Sequence, residues 1–234
     1  MDPKILNLFP LTIYQSKIEI PNSKKEEMIK EILEMKKRSE NLNNSNKHEN
    51  DSWTGDTQGY EKLFTNKKFD FFFQEVSKHL KNYIEYFEID KNKVDLYYQR
   101  AWATVSNSKE NIKVHTHMQS HISFAYYLKK NNLDSQIIFV DKLKHNEFLP
   151  GLFDSPSIHT SKIFKQRNIK NVSGIDLNTE EDDIVIFPSK SSHGTKANND
   201  NQNRISISAD IMCVSKDAKN LEHLVPPIDQ WRKV

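Results

Sequence analysis

The hydrophobic period of this chain switches from helical to strand-like at about residue 90, and that change limits the folds open to it. Before it, Phe69, Phe72, Phe73, Val76, Leu80, Tyr83, Ile84 and Phe87 recur at three-to-four spacing. That spacing puts them on one face of a helix over Lys68 to Phe87. After it, apolar residues come in short β-branched and aromatic runs: Val94 to Ser106, Ile122 to Lys129, Ile137 to Val140, Ile163 to Ile169, Asp183 to Phe187 and Arg204 to Val214. Segments rich in Asn, Asp, Ser, Lys and Gly separate these runs, which therefore read as strands. Another helix is expected over Ser23 to Ser39. There Ser23 and Glu26 form a capping-box pair, and Met28, Ile29, Ile32, Leu33 and Met35 form a stripe. Leu8 to Tyr14 reads as an opening strand, with Pro10 keeping it near an edge or start. Helices first and strands afterwards predict an α+β chain whose helices back one sheet of a β-sandwich or barrel.

At 234 residues the chain can bury a full core, and nothing in it marks a domain boundary. One domain over 1–234 is expected, with helical support over 1–92, a β core over about 93–215 and an extended tail over 216–234. Trp231 is expected to anchor that tail. No apolar run approaches the ~20 residues that span a bilayer, and Met1 to Ile5 has no signal-peptide pattern. A formal net charge of +2 is too small to argue for a nucleic-acid partner. The single cysteine, Cys213, excludes an internal disulfide framework and fits a reducing compartment. A soluble cytoplasmic protein is the expectation.

Three of the nine histidines fall within seven residues, at His115, His117 and His121. His115 and His117, two apart, leave the same face of an extended strand and can act as adjacent ligands of one metal ion. Downstream, Asp183 to Phe187 leads through Pro188 and a polar turn to His193, a possible third ligand. His121 reads either as a hydrogen-bonded wall residue or as a ligand. His48, His79, His145, His159 and His223 have no partner at ligand spacing and read as ordinary structural residues. In Arg204 to Asp210 the alternation is strict. Arg204, Ser206, Ser208 and Asp210 share one face, and Ile205, Ile207 and Ile211 share the other. An inward polar face that leads with arginine suits a carboxylate, which guanidinium pairs bidentately.

This order is a His-x-His pair, a distal histidine after a strand ending Phe187-Pro188-Ser189, and Arg204-x-Ser206. It resembles the 2-oxoglutarate- and Fe(II)-dependent oxygenase superfamily. It is most similar to the 2OG-Fe(II) oxygenase family that carries a His-x-His segment followed by a Ser-x-x-Tyr-Tyr strand, here Ser123 to Tyr127. Leu8-Phe9-Pro10, Trp53-Thr54-Gly55-Asp56 and Ala101-Trp102-Ala103-Thr104 extend the resemblance over most of the chain. It implies a double-stranded β-helix (jelly-roll) core with helices packed outside, using Fe(II), 2-oxoglutarate and O₂. It also implies His115 and His193 as iron ligands, Arg204 with Ser206 as the clamp on the distal carboxylate, and Tyr127 as a further donor. His117 stands where most of the superfamily has Asp or Glu. The third ligand is then His117, His121 or an acid such as Asp141 or Asp210.

The implied reaction couples decarboxylation of 2-oxoglutarate to oxidation of an unactivated C–H bond, with hydroxylation as the commonest outcome. The substrate would be a small molecule or an amino-acid or peptide side chain. Lys142 to Ser161 is a candidate lid, and Arg100, Trp102 and Tyr126 are candidate pocket residues. Two other readings are a cupin-type metalloprotein that does not use 2-oxoglutarate and a catalytically inactive jelly-roll binding module. The cupin reading lacks the glutamate expected where His121 stands, and it leaves Arg204-x-Ser206 without a role.

Overall fold

The computed structural model describes residues 3–42, 50–131, 135–154, 163–217, 219 and 225–234. In chain order come β1 (Tyr14–Lys17), α1 (Asn22–Leu42), β2 (Trp53–Thr54) and α2 (Asp70–Tyr86), followed by β3 (Val94–Ser106) and β4 (Ile122–Lys129). β5 (Ile137–Val140), β6 (Gly174–Leu177), β7 (Asp183–Pro188), β8 (His193–Thr195) and β9 (Arg204–Ser215) complete the set. A six-stranded antiparallel sheet runs in the order β1-β7-β4-β9-β3-β2, and a three-stranded one in the order β6-β5-β8. Together they make the double-stranded β-helix that the resemblance implies.

The larger sheet is apolar on its outer face and mixed polar and apolar on its inner one, and this division fixes the architecture. Outward-facing Phe124, Tyr126, Leu128, Ile184, Ile186, Ile205, Ile207, Ala209 and Ile211 share one core with the stripes of α1 and α2. The α2 stripe buries Phe72, Phe73, Val76, Leu80, Tyr83 and Ile84 as its spacing predicts. Phe72 meets Tyr126 with ring centroids 4.8 Å apart. A ring buried this fully contributes about 1.5–3 kcal/mol. A smaller cluster of Tyr127, Ile137, Phe139, Val185 and Phe187 joins the two sheets.

Strand register then sets rows of inward residues across β3, β9 and β4. Arg100 pairs with Asp210, which pairs with Ser123; Trp102 pairs with Ser208, which pairs with Ala125; Thr104 pairs with Ser206, which pairs with Tyr127. Ser106 faces Arg204 at the far end. A slip of one residue would turn all of these outward.

Several expectations are corrected. β1 is Tyr14–Lys17, beyond the run of Leu8 to Tyr14, because Phe9 has a φ of 56° and Leu8 and Phe9 are exposed. Helix α1 runs past Ser39, whose hydroxyl accepts the Trp53 indole N–H at 2.8 Å. Ile163 to Ile169 forms no strand, and the partner of β5 on that side is Gly174–Leu177. Asn168 and Asn171 explain this. The Asn171 side chain accepts from the Asn168 amide at 2.8 Å and the Asn168 side chain accepts from the Lys170 amide at 2.9 Å, a local turn that competes with a ladder. Ile163 and Ile169 are left exposed. Trp231 is also exposed, and its indole N–H donates to the Pro226 carbonyl within the tail instead of reaching the core.

Among the described residues, no helix is long and apolar enough to cross a membrane. His48, His159, His223 and residues 155–161 of the expected lid lie outside the described residues.

Candidate metal centre and its cavity

The His-x-His segment precedes β4 in an extended stretch that backbone bonds hold in place. His115 and His193 form an isolated antiparallel bridge, with N–H···O distances of 2.8 and 3.0 Å in the two directions. The His117 amide donates to the Ser189 carbonyl at 3.0 Å. Gly194 permits the close approach. A Cβ there would lie 2.8 Å from the Ile112 carbonyl oxygen and 3.0 Å from the Val114 nitrogen.

These contacts bring one ring nitrogen from each of His115, His117 and His193 within 4.8 Å of the others. The other nitrogen of each ring is already engaged. His115 Nδ1 lies 2.8 Å from the Lys113 carbonyl, His193 Nδ1 is 2.9 Å from the Ser191 carbonyl, and His117 Nδ1 is 3.0 Å from Asp210 Oδ1. Carbonyl and carboxylate oxygens only accept, so the proton sits on Nδ1 in each ring and Nε2 presents its lone pair. Burial pushes the His193 imidazole down to about 3 and lowers that of His115, so both are neutral at pH 7.

The fit to a metal ion follows from one distance. His115 Nε2 and His117 Nε2 are 3.1 Å apart, close enough to share one cation. Metal–imidazole bonds of about 2.1 Å meeting at a right angle would hold two nitrogens about 3.0 Å apart. The pair therefore fits the edge of an octahedral coordination sphere, as a facial triad requires.

Below the histidines lies a cavity of about 460 Å³, within the ordinary range for small-molecule sites. Trp102, Phe187, Tyr127, Arg204 and Ser206 are among its walls. Arg204 is buried at its far end. Nη1 donates to the Ser135 carbonyl at 3.0 Å, and Nη2 donates to the Ser106 and Thr195 hydroxyls at 2.7 and 3.1 Å. Arg204 Nε and the Tyr127 hydroxyl have no hydrogen-bond partner among the described residues, nor does any carboxylate there pair with this guanidinium. A buried cation with a free donor beside an orphaned hydroxyl is costly unless an anion arrives.

The remaining sequence candidates sort cleanly. His121 turns away from the cavity: its Nδ1 lies 3.1 Å from both the amide and the carbonyl of Cys213. The turn at Met118 and Gln119 breaks the alternation that would have carried it inward. Asp141 is exposed, and its carboxylate accepts the Leu143 amide at 3.0 Å. Tyr126 faces the helices and donates to Asp182 at 2.7 Å, so it does not line this cavity. Trp102 and Arg100 do line the cavity, with the guanidinium 5.0 Å above the indole. None of residues 142–154, the described part of the expected lid, lines it.

Asp210 is the residue whose role sequence reasoning missed. It is fully buried and touches His117 without being one of the three clustered groups. Burial alone would raise its carboxyl, but bonds from His117, Arg100 and Ser123 outweigh that and hold it at about 2. Its inward position was legible in the alternation of Arg204 to Asp210. Its reach to His117 depends on the β4–β9 pairing.

Residues 100–210, just under half of the chain, match the sequence model of a family described as "Putative 2OG-Fe(II) oxygenase". No curated protein sequence matches the chain. Among solved structures, AviO1 from Streptomyces viridochromogenes Tue57 aligns with a TM-score of 0.54 and 10% identity, covering 93% of this chain and 92% of its own. A Pseudomonas putida prolyl-4-hydroxylase aligns with a TM-score of 0.52 and 11% identity, covering 86% and 92%. A Burkholderia pseudomallei oxidoreductase of the 2OG-Fe(II) oxygenase family is matched over only 46% of its length and 51% of this chain, with a TM-score of 0.35 and 6% identity. At these identities the first two alignments bear on the fold and the third on neither fold nor function. The family match runs from Arg100 to Asp210 and so encloses all three clustered histidines and Arg204; over that stretch the chain is similar to the 2OG-Fe(II) oxygenase family, and it shares its fold with the first two structures.

Proposed function

We propose that the chain, as one domain over 1–234, is a 2-oxoglutarate- and Fe(II)-dependent dioxygenase that hydroxylates a small molecule or an amino-acid side chain. In this reading His115, His117 and His193 hold Fe(II). Arg204, Ser206 and Tyr127 hold the distal carboxylate of 2-oxoglutarate. The observation that carries it is the pairing, in one cavity, of three convergent imidazoles with a buried guanidinium that meets no carboxylate among the described residues. A metalloprotein without 2-oxoglutarate leaves Arg204 unexplained, and an inactive binding module leaves the convergent imidazoles unexplained.

Bound Fe(II), with O₂, supplies oxidation of a substrate C–H bond coupled to conversion of 2-oxoglutarate to succinate and CO₂. The chain's own share is positional. Arg204 Nε and the Tyr127 hydroxyl donate to the cosubstrate carboxylate, which relieves two orphaned groups at once. The Trp102 and Phe187 rings keep the walls apolar and exclude water. Arg100, Asp56, Gln119 and Lys113 line the cavity towards its polar side, where substrate selection is placed. The neighbouring prolyl-4-hydroxylase fold supports an amino-acid side chain as one substrate class. The lone Cys213 supports a cytoplasmic location.

The test is anaerobic addition of Fe(II) and 2-oxoglutarate, followed by a search for the visible charge-transfer band of the chelate and by elemental analysis. His193→Ala should keep the fold and lose the metal. Absence of both band and metal in the wild-type protein refutes the proposal. Substrates are then found by succinate formation against amino acids, peptides and nucleosides.

A further inference from the structure

A triad of two histidines and one carboxylate places one negative charge directly on the metal. Three neutral imidazoles place none there. The missing charge has a counterpart one bond further out. Asp210 Oδ1 accepts from His117 Nδ1 at 3.0 Å and from the Ser123 hydroxyl at 3.0 Å. Asp210 Oδ2 accepts from Arg100 Nη2 at 2.8 Å and Nε at 3.2 Å, and from Gln119 Nε2 at 2.9 Å. The two oxygens are thus divided, one towards the metal side and one towards the cavity mouth. The contrast with the other two imidazoles is specific: His115 and His193 lean on neutral carbonyls, and only His117 leans on a carboxylate.

We infer that His117 and Asp210 act as one anionic unit, in which Asp210 supplies through the imidazole the charge that a directly bound carboxylate would have supplied. The inference rests on the proposed metal site. A carboxylate accepting from the distal nitrogen of a ligating imidazole increases that ligand's basicity and fixes its tautomer. Asp210 is accordingly a positioning residue that also sets the charge of the centre. Its burial removes the solvent screening that would otherwise blunt the effect. Arg100 and Gln119 hold the carboxylate in place from the mouth, so whatever binds there acts on the same group.

The experiment uses Zn(II) titrations of the purified full chain, with no turnover required. Asp210→Asn keeps an acceptor for His117 and deletes the charge; it should weaken Zn(II) binding by roughly 10- to 100-fold. Placed on His117→Asp, which returns the charge to the metal itself, the same change should cost less than about threefold, or ~0.7 kcal/mol. In Zn(II)-loaded wild-type protein, nitrogen-edited NMR should put the Nδ1 proton of His117 further downfield than those of His115 and His193. Undiminished affinity in folded Asp210→Asn overturns the inference, as does an equal loss in both backgrounds. A His117 proton no different from the other two overturns it as well, and that readout stands even if Asp210→Asn does not fold. Wild-type protein that takes up no Zn(II) refutes the metal site itself, and this inference with it.

Discussion

Arg204→Met tests the cosubstrate site most directly, because it keeps the aliphatic stem and deletes the charge. Three of the five N–H donors of Arg204 serve Ser135, Ser106 and Thr195, which leaves Nε and one Nη1 hydrogen, with the neighbouring Tyr127 hydroxyl, for the incoming carboxylate. Truncating one partner of a buried, hydrogen-bonded charge pair costs about 2–5 kcal/mol. A central value of about 3 kcal/mol corresponds to a roughly 100-fold weaker Kd for 2-oxoglutarate. Thermal unfolding of metal-loaded protein reads this without turnover. At about 100 times the wild-type Kd, 2-oxoglutarate adds about 2.7 kcal/mol, or about 5–10 °C of Tm for a chain of this size. The same concentration only equals the Kd of the variant, where it adds about 0.4 kcal/mol and about 1 °C. Metal content should be unchanged, since Arg204 is not among the clustered groups. A folded, metal-loaded Arg204→Met that keeps the full wild-type shift would refute the assignment of Arg204.

Two further outcomes follow from the same geometry. Gly194→Ala sets a Cβ against the Ile112 carbonyl at 2.8 Å; it should cost about 2 kcal/mol by overpacking and pry His193 from His115, so that Tm and Zn(II) affinity fall together. Loss of Tm with intact affinity would mean that the His115–His193 bridge does not hold the metal site. The second outcome concerns metal-free protein in acid. His193, held at about 3 when folded and near 6.5 when unfolded, binds fewer protons in the native state. Stability should therefore fall as pH drops from about 6.5 towards 3, by up to about 1.4 kcal/mol per pH unit from this group. Asp210, held at about 2, contributes stability above about pH 4 that is lost as pH passes through 2. Urea denaturation across pH should show a flatter slope between pH 6.5 and 4 in His193→Gln; an unchanged slope would refute the burial-driven shift.

Periodicity made much of the chain legible. The α2 stripe, the alternation in β9 and the runs of β3, β4, β5 and β7 all specify which side chains face together, because one face of each element must leave water. Where local hydrogen bonding competes with that pattern, the reading failed. Ile163 to Ile169 carries apolar residues, yet the Asn168–Asn171 turn meets its own polar groups locally and leaves the apolar ones outside. Phe9, in a left-handed conformation, likewise takes no part in the strand.

The linear order of residues was enough to nominate His115, His117, His193 and Arg204, and to place Arg204, Ser206, Ser208 and Asp210 on one face. Those facts depend on side-chain chemistry and on the two-residue repeat of a strand, both of which are local. Three-dimensional packing decided which histidines converge and what backs each of them. A turn directs His121 to Cys213, away from the other three rings, and Asp210 meets His117 only because β9 lies between β3 and β4 in one register. A pairing across 93 positions of chain has no signature in sequence spacing. It arises when the sheet buries its isoleucines against the helices and thereby turns every polar partner inward together.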